Sequence, residues 1–106
     1  MKMSQQDVDA YLWSLPRTVA KELGIQDFDF LSSEELGDEI FKKSPDVFVK
    51  LNEFVKIYIE WYQFQIDKDE EIEKARLSST DFEVNMALIK KRDDARQILI
   101  QAVRQP

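Results

Sequence analysis

Apolar residues recur at four-three spacing through the opening segment: Val8, Leu12, Leu15, Val19 and Leu23, with Tyr11 beside them. Such spacing keeps side chains on one face of a helix and predicts an amphipathic first helix. Ser4 is placed to cap it, with Asp7 three residues on, and Met3 and Val8 form a hydrophobic staple around the cap. Pro16 interrupts the stripe, removing a backbone donor and crowding the carbonyl of Leu12. The helix must kink there or restart with Ser14 as its cap, and the continuity of the stripe favours a kink. Gly24 then supplies a left-handed stop, with Ile25 where a C-terminal apolar contact is usual.

Residues 25–31 read as a linker with apolar anchors at Phe28 and Phe30. Ser32 and Glu35 make a capping box, with Leu31 and Leu36 as its staple, for a short helix ending near Lys42-Lys43. Ser44-Pro45-Asp46 restarts the chain with a capping serine, a proline at the first helical position and an acid in the first turn. One helix is predicted from Pro45 to about Leu77. Thr80 with Glu83 then caps a last helix running to about Arg104. The short connection implies an antiparallel helical hairpin, about 45–78 and 81–104. The expected fold is all-α, a single-domain bundle of about four helices spanning residues 1–106.

The long helix carries an unusually wide apolar face. Phe48, Leu51, Phe54, Val55, Ile57, Tyr58, Ile59, Trp61, Tyr62, Phe64 and Ile66 cover an arc of roughly 220°, where a surface helix needs little more than ~100°. It should be touched on at least two sides and form the centre of the fold. From Asp67 onward the pattern changes to Asp-Lys-Asp-Glu-Glu-Ile-Glu-Lys-Ala-Arg, which puts Asp69, Glu73 and Arg76 on the former core side. Unpaired charges are too costly to bury, so the hairpin tip should project, held by pairs such as Glu70–Lys74 and Glu73–Arg76. Across the hairpin, Phe82, Val84, Met86, Leu88 and Ile89 outnumber their apolar partners Ile72, Ala75 and Leu77. They either fold back on other helices or meet another protein or a second copy.

Composition agrees with long helices. Two glycines and three prolines in 106 residues leave too little turn material for an all-β fold. Without cysteine there are no disulfides, thiol catalysis or Cys-type metal sites. The start at Met1 lacks the apolar core of a signal peptide, and no apolar run approaches the ~20 residues of a membrane span. A cytoplasmic location without membrane contact is the expectation. The first 46 residues hold five Lys/Arg against ten Asp/Glu and so carry −5 of the total charge of −6. That imbalance disfavours nucleic-acid backbone binding and suits a partner with a basic surface, although a solvated acidic face is the simpler reading.

The chemistry available is narrow. Histidine is absent, which removes the commonest general base and metal ligand, and no Ser/His or Cys/His nucleophile can be assembled. Two isolated glycines make no phosphate loop. Asp27, Asp29, Glu34, Glu35 and Asp38 begin like a calcium loop, but Leu31 and Ser32 stand where an oxygen ligand and the turn glycine belong. Asp67, Asp69, Glu70, Glu71 and Glu73 lack the interleaved apolar residues of a magnesium site on facing helices. Lys90-Lys91-Arg92, the only basic cluster, precedes Asp93 and Asp94 and is expected to pair with the Asp67–Glu71 stretch. Tyr58, Trp61, Tyr62 and Phe64 read as core rather than as a stacking platform. Trp13 falls off its helix's stripe and is a candidate hot spot.

The reading that follows is a non-catalytic interaction protein, an inhibitor, adaptor or assembly factor, with no cofactor and no metal. Its candidate contact residues are Trp13, Asp27, Phe28, Asp29, Phe30, Glu34, Glu35 and Asp38, together with Phe82 and Met86 at the hairpin tip. Its partner is another protein, and the wide apolar arc also favours a homodimer. The alternatives are a nucleic-acid-associated oligomeric assembly protein and a magnesium-dependent carboxylate enzyme. Reversing Glu34, Glu35 and Asp38 together is expected to abolish binding without unfolding the chain.

Overall fold

A computed structural model describes residues 3–105, and every regular element among them is helical. Met1, Lys2 and Pro106, the ends of the predicted 1–106 domain, lie outside the described residues. The elements are α1 (Gln5–Glu22), a 3-10 turn (Phe28–Phe30), α2 (Ser33–Lys43), α3 (Pro45–Asp67), α4 (Asp69–Glu73) and α5 (Ser79–Arg104). No helix among them is long and apolar enough to cross a membrane.

The caps form as side-chain chemistry dictates. Ser4 Oγ accepts from the Asp7 amide while Asp7 accepts from the Ser4 amide, and Ser32 and Glu35 repeat the same box. Ser44 Oγ accepts from the Val47 amide, with Pro45 at the first helical position. Gly24 takes φ 76°, and the Ile25 amide donates to Ala20 O at 3.0 Å, closing α1. The helix runs without a break through Pro16. Around that residue Ser14, Arg17 and Thr18 donate side-chain hydrogen bonds to the carbonyls of Tyr11, Trp13 and Ser14.

One core holds the chain together. Val8, Val19, Ala20 and Leu23 of the α1 segment meet Leu36 and Ile40 of α2, and Val47, Leu51, Phe54, Ile57 and Tyr58 of α3. Ala95, Leu99 and Ala102 of α5 complete it. The contacts between α3 and α5 run in opposite chain directions: Lys68 with Asp81, Gln65 with Asn85, Trp61 with Arg92. Asp81, Asn85, Leu88, Arg92, Ala95, Leu99 and Ala102 recur at four-three spacing along this seam. Small alanines let the helices approach at the base, whereas the outer turns are joined by polar groups.

Three expectations need correction. The helix predicted from Pro45 to about Leu77 ends at Asp67, and α4 follows as a separate short turn. Breaking at Lys68 puts Asp69, Glu70 and Glu71 in the first turn of α4, where acids are favoured. The chain then turns through Ala75 at φ 52°. Second, α5 begins earlier than the expected start near 81, because Ser78 rather than Thr80 is its cap, with Ser78 Oγ accepting from the Asp81 amide at 3.0 Å. Third, the ion pairs of the basic cluster among the described residues are with partners other than the Asp67–Glu71 stretch. Lys91 pairs with Glu60 at 3.6 Å, Lys90 with Asp94 at 2.6 Å and Arg92 with Asp93 at 3.0 Å.

Candidate functional site

Two surfaces carry the predicted contact residues. The first joins α1 to the linker before α2. Arg17 makes the junction: Nη1 donates to Trp13 O at 2.9 Å, Nη2 donates to Leu31 O at 3.1 Å, and the guanidinium lies 3.8 Å from the centroid of the Trp13 ring. Trp13 is 59% exposed despite that stack, and Phe30, next to Leu31, is 87% exposed. Phe28 is different, half-buried against the core, so it anchors the 3-10 turn and leaves Phe30 alone to project. Asp27 sits at φ 57° and helps turn the chain; a short polar side chain tolerates that conformation better than most.

Acids are frequent in the adjoining stretch of chain, from the linker into α2. Asp27, Asp29, Glu34 and Asp38 are exposed, and no ion pair among the described residues engages any of them. Glu35 has another task, since its carboxylate accepts from the Ser32 amide at 3.1 Å. Reversing Glu35 would remove half of a capping box, so the triple reversal expected to spare the fold would not do so cleanly. No group of three or more carboxylates among the described residues is arranged to hold a metal ion.

The second surface is the outer half of the α3–α5 pair. Phe82, Val84 and Met86 of α5 are exposed, as are Ile59 and Ile66 of α3, while Leu88 and Ile89 are half-buried. The excess apolar residues of the last helix therefore do not fold back into the core. A cleft of about 410 Å³ lies against the end of α3 and α4, lined by Met3, Tyr62, Ile66 and Ile72 among others. Trp13 with Phe30 and the pair Phe82 with Met86 belong to different elements, and no contact brings them together.

Sequence reasoning missed Arg17. An arginine four residues after a tryptophan on a helix is the available signal, because that spacing puts the two on one face. It also missed the cleft of about 440 Å³ between α1 and α5, floored by Leu15, Val19, Phe54 and Leu99 and edged by Arg96 and Arg104. Tyr58 is the one titratable core group with a clear perturbation. Burial pushes its hydroxyl above the ordinary value of 10.0, neighbouring Tyr11 and Tyr62 add to the rise, and Arg92 opposes it.

The fold defines an all-α protein with exposed aromatic and acidic surface. No protein-family model, curated protein or solved structure matches the chain.

Proposed function

We propose that the chain is a non-catalytic interaction protein, an inhibitor, adaptor or assembly factor, and that its partner presents a basic surface to the α1–α2 edge. The observation that carries this reading is the Trp13–Arg17 stack, tied through Leu31 to the exposed Phe30, with four exposed acids in the adjoining linker and α2 that make no ion pair among the described residues. Tryptophan and arginine are the residues most enriched among binding hot spots. A rim of one charge sign speeds encounter with an opposite surface and rejects like-charged ones. Nucleic acid suits the molecule less well, because Lys90, Lys91 and Arg92 already pair with Asp94, Glu60 and Asp93.

The experiment is a quantitative pull-down from cell lysate with three baits: the wild-type chain, Trp13→Ala, and Asp29→Lys with Glu34→Lys and Asp38→Lys, leaving Glu35 to its cap. Loss of an interface anchor of this kind costs on the order of 2 kcal/mol, about thirtyfold in affinity. Both variants are expected to stay folded, the charge reversal with a slightly lower thermal midpoint because Glu34 lies in the first turn of α2, and to lose a stoichiometric protein partner. Equal recovery of that partner by all three baits would exclude this edge as the contact surface.

A further inference from the structure

A cleft of about 440 Å³ separates α1 from the last turns of α5, a volume in the range that takes a small organic molecule. Its bottom is the core itself, since Phe54 and Leu99 there are only 2% and 4% exposed. Leu15, Ile100 and Val103 stand half-buried on its walls. An apolar body laid over these side chains removes their remaining surface from water, which is favourable.

The polar groups of the cleft are gathered at its two ends. Tyr11 stacks on Tyr58 with centroids 4.9 Å apart, and Arg92 lies over Trp61. Tyr58 is about one turn before Trp61 on α3, and Arg96 is one turn after Arg92 on the antiparallel α5. Arg96 and Tyr11, which both line the cleft, therefore come level at one end of it. Among the described residues the Tyr11 hydroxyl makes no hydrogen bond and Arg96 no ion pair. Asp93, the acid one turn before Arg96, is held by Arg92 at 3.0 Å. At the other end Arg104, about 12 Å further along α5, has Glu22 on the facing wall, so both signs of charge meet there. The Tyr11–Arg96 end instead offers a hydroxyl donor and a guanidinium with a single positive charge.

From this layout we infer that the α1–α5 cleft binds a free aliphatic carboxylate, a fatty-acid-like molecule whose head meets Arg96 and the Tyr11 hydroxyl. Its chain lies over Leu15, Phe54 and Leu99 towards Val103. A guanidinium matches the two oxygens of a carboxylate, and such charge-assisted hydrogen bonds are the strong ones. An alkylammonium of the same length meets a like charge at that end, and a neutral alcohol leaves the arginine without a partner. Thr18, on the wall of the cleft, stands about 140° round α1 from Trp13. The cleft and the α1–α2 edge are thus separate surfaces, and either assignment can fail without the other.

Titration with octanoate, followed by the NMR shifts of the methyl groups, tests this against octanol and octyltrimethylammonium. The wild type is expected to bind one octanoate saturably, with shifts at Leu15, Val19 and Leu99, and to bind the other two about tenfold more weakly. Arg96→Gln should weaken octanoate by about tenfold and leave octanol unchanged. Thr18→Phe should remove both by filling the cleft. Arg96 and Thr18 are exposed, so thermal midpoints near that of the wild type will show that both variants keep the fold. A wild type without saturable octanoate binding overturns the inference. So does octanol bound as tightly as octanoate, or unchanged octanoate affinity in either variant.

Discussion

At Tyr58 burial and charge act on one hydroxyl. The ring stacks on Tyr11 with centroids 4.9 Å apart and is 7% exposed, so the phenolate is poorly solvated in the folded chain. The folded state therefore holds this proton to a higher pH than the unfolded chain, which releases it near 10.0. Below that value both states are protonated and the group adds no pH dependence. As pH rises past 10.0 the unfolded chain ionises first, and stability falls until the folded tyrosine also titrates. Urea unfolding midpoints across this window should drop in the wild type and drop less in Tyr58→Phe. Identical pH profiles would show that Tyr58 is not the responsible group. Of the aromatic row on the long helix, Tyr58 lies in the core as its place in the apolar arc suggested, while Trp61 and Tyr62 are half-buried against that core. Arg17 was not legible, because its role depends on the carbonyl of Leu31, fourteen residues away, which no local pattern reports.

Among the elements, those whose boundaries rest on local chemistry were readable. Ser4, Ser32 and Ser44 each sit three residues before the amide they cap, and α1, α2 and α3 start as expected. The outer end of the hairpin was not readable, since its pattern of charge satisfies a continuous helix and a broken one equally well. Ser78 and Thr80 competed for one cap, and Ser78 puts Asp81 in the first turn of α5 and opposite Lys68, 3.2 Å away. The break leaves Ala75 at φ 52°. A left-handed conformation costs an L-residue roughly 1 kcal/mol, so Ala75→Gly should raise stability by about 0.5 kcal/mol after the added freedom of the unfolded chain is subtracted. The reverse change is expected at Gly24, where an added Cβ meets nothing within 4 Å yet φ is 76°. Gly24→Ala should therefore lose about 0.5 kcal/mol, the left-handed cost less the reduced freedom of the unfolded chain. Thermal unfolding of both variants checks the pair, and two shifts of the same sign would contradict this reading of the turns.

The whole molecule measures 48 × 26 × 18 Å, and its length comes from the outer half of the α3–α5 pair standing clear of α1 and α2. The all-α class and the central place of the long helix followed from breaker content and from the width of its apolar arc. The surfaces were only half legible: the sequence supplied Trp13, Phe30 and the acids but could not separate Phe28, which turns inward, or Glu35, which caps α2. The proposed contact with a foreign protein rests on the acidic α1–α2 edge and its aromatic anchors. Backbone hydrogen exchange of the chain, free and in complex with the protein it captures, tests the functional claim most directly. Protection should rise across residues 26–34, whose backbone hydrogen bonds are confined to a 3-10 turn and a capping box, and should be unchanged across 79–90. Unchanged exchange across 26–34 in a stoichiometric complex would contradict the account.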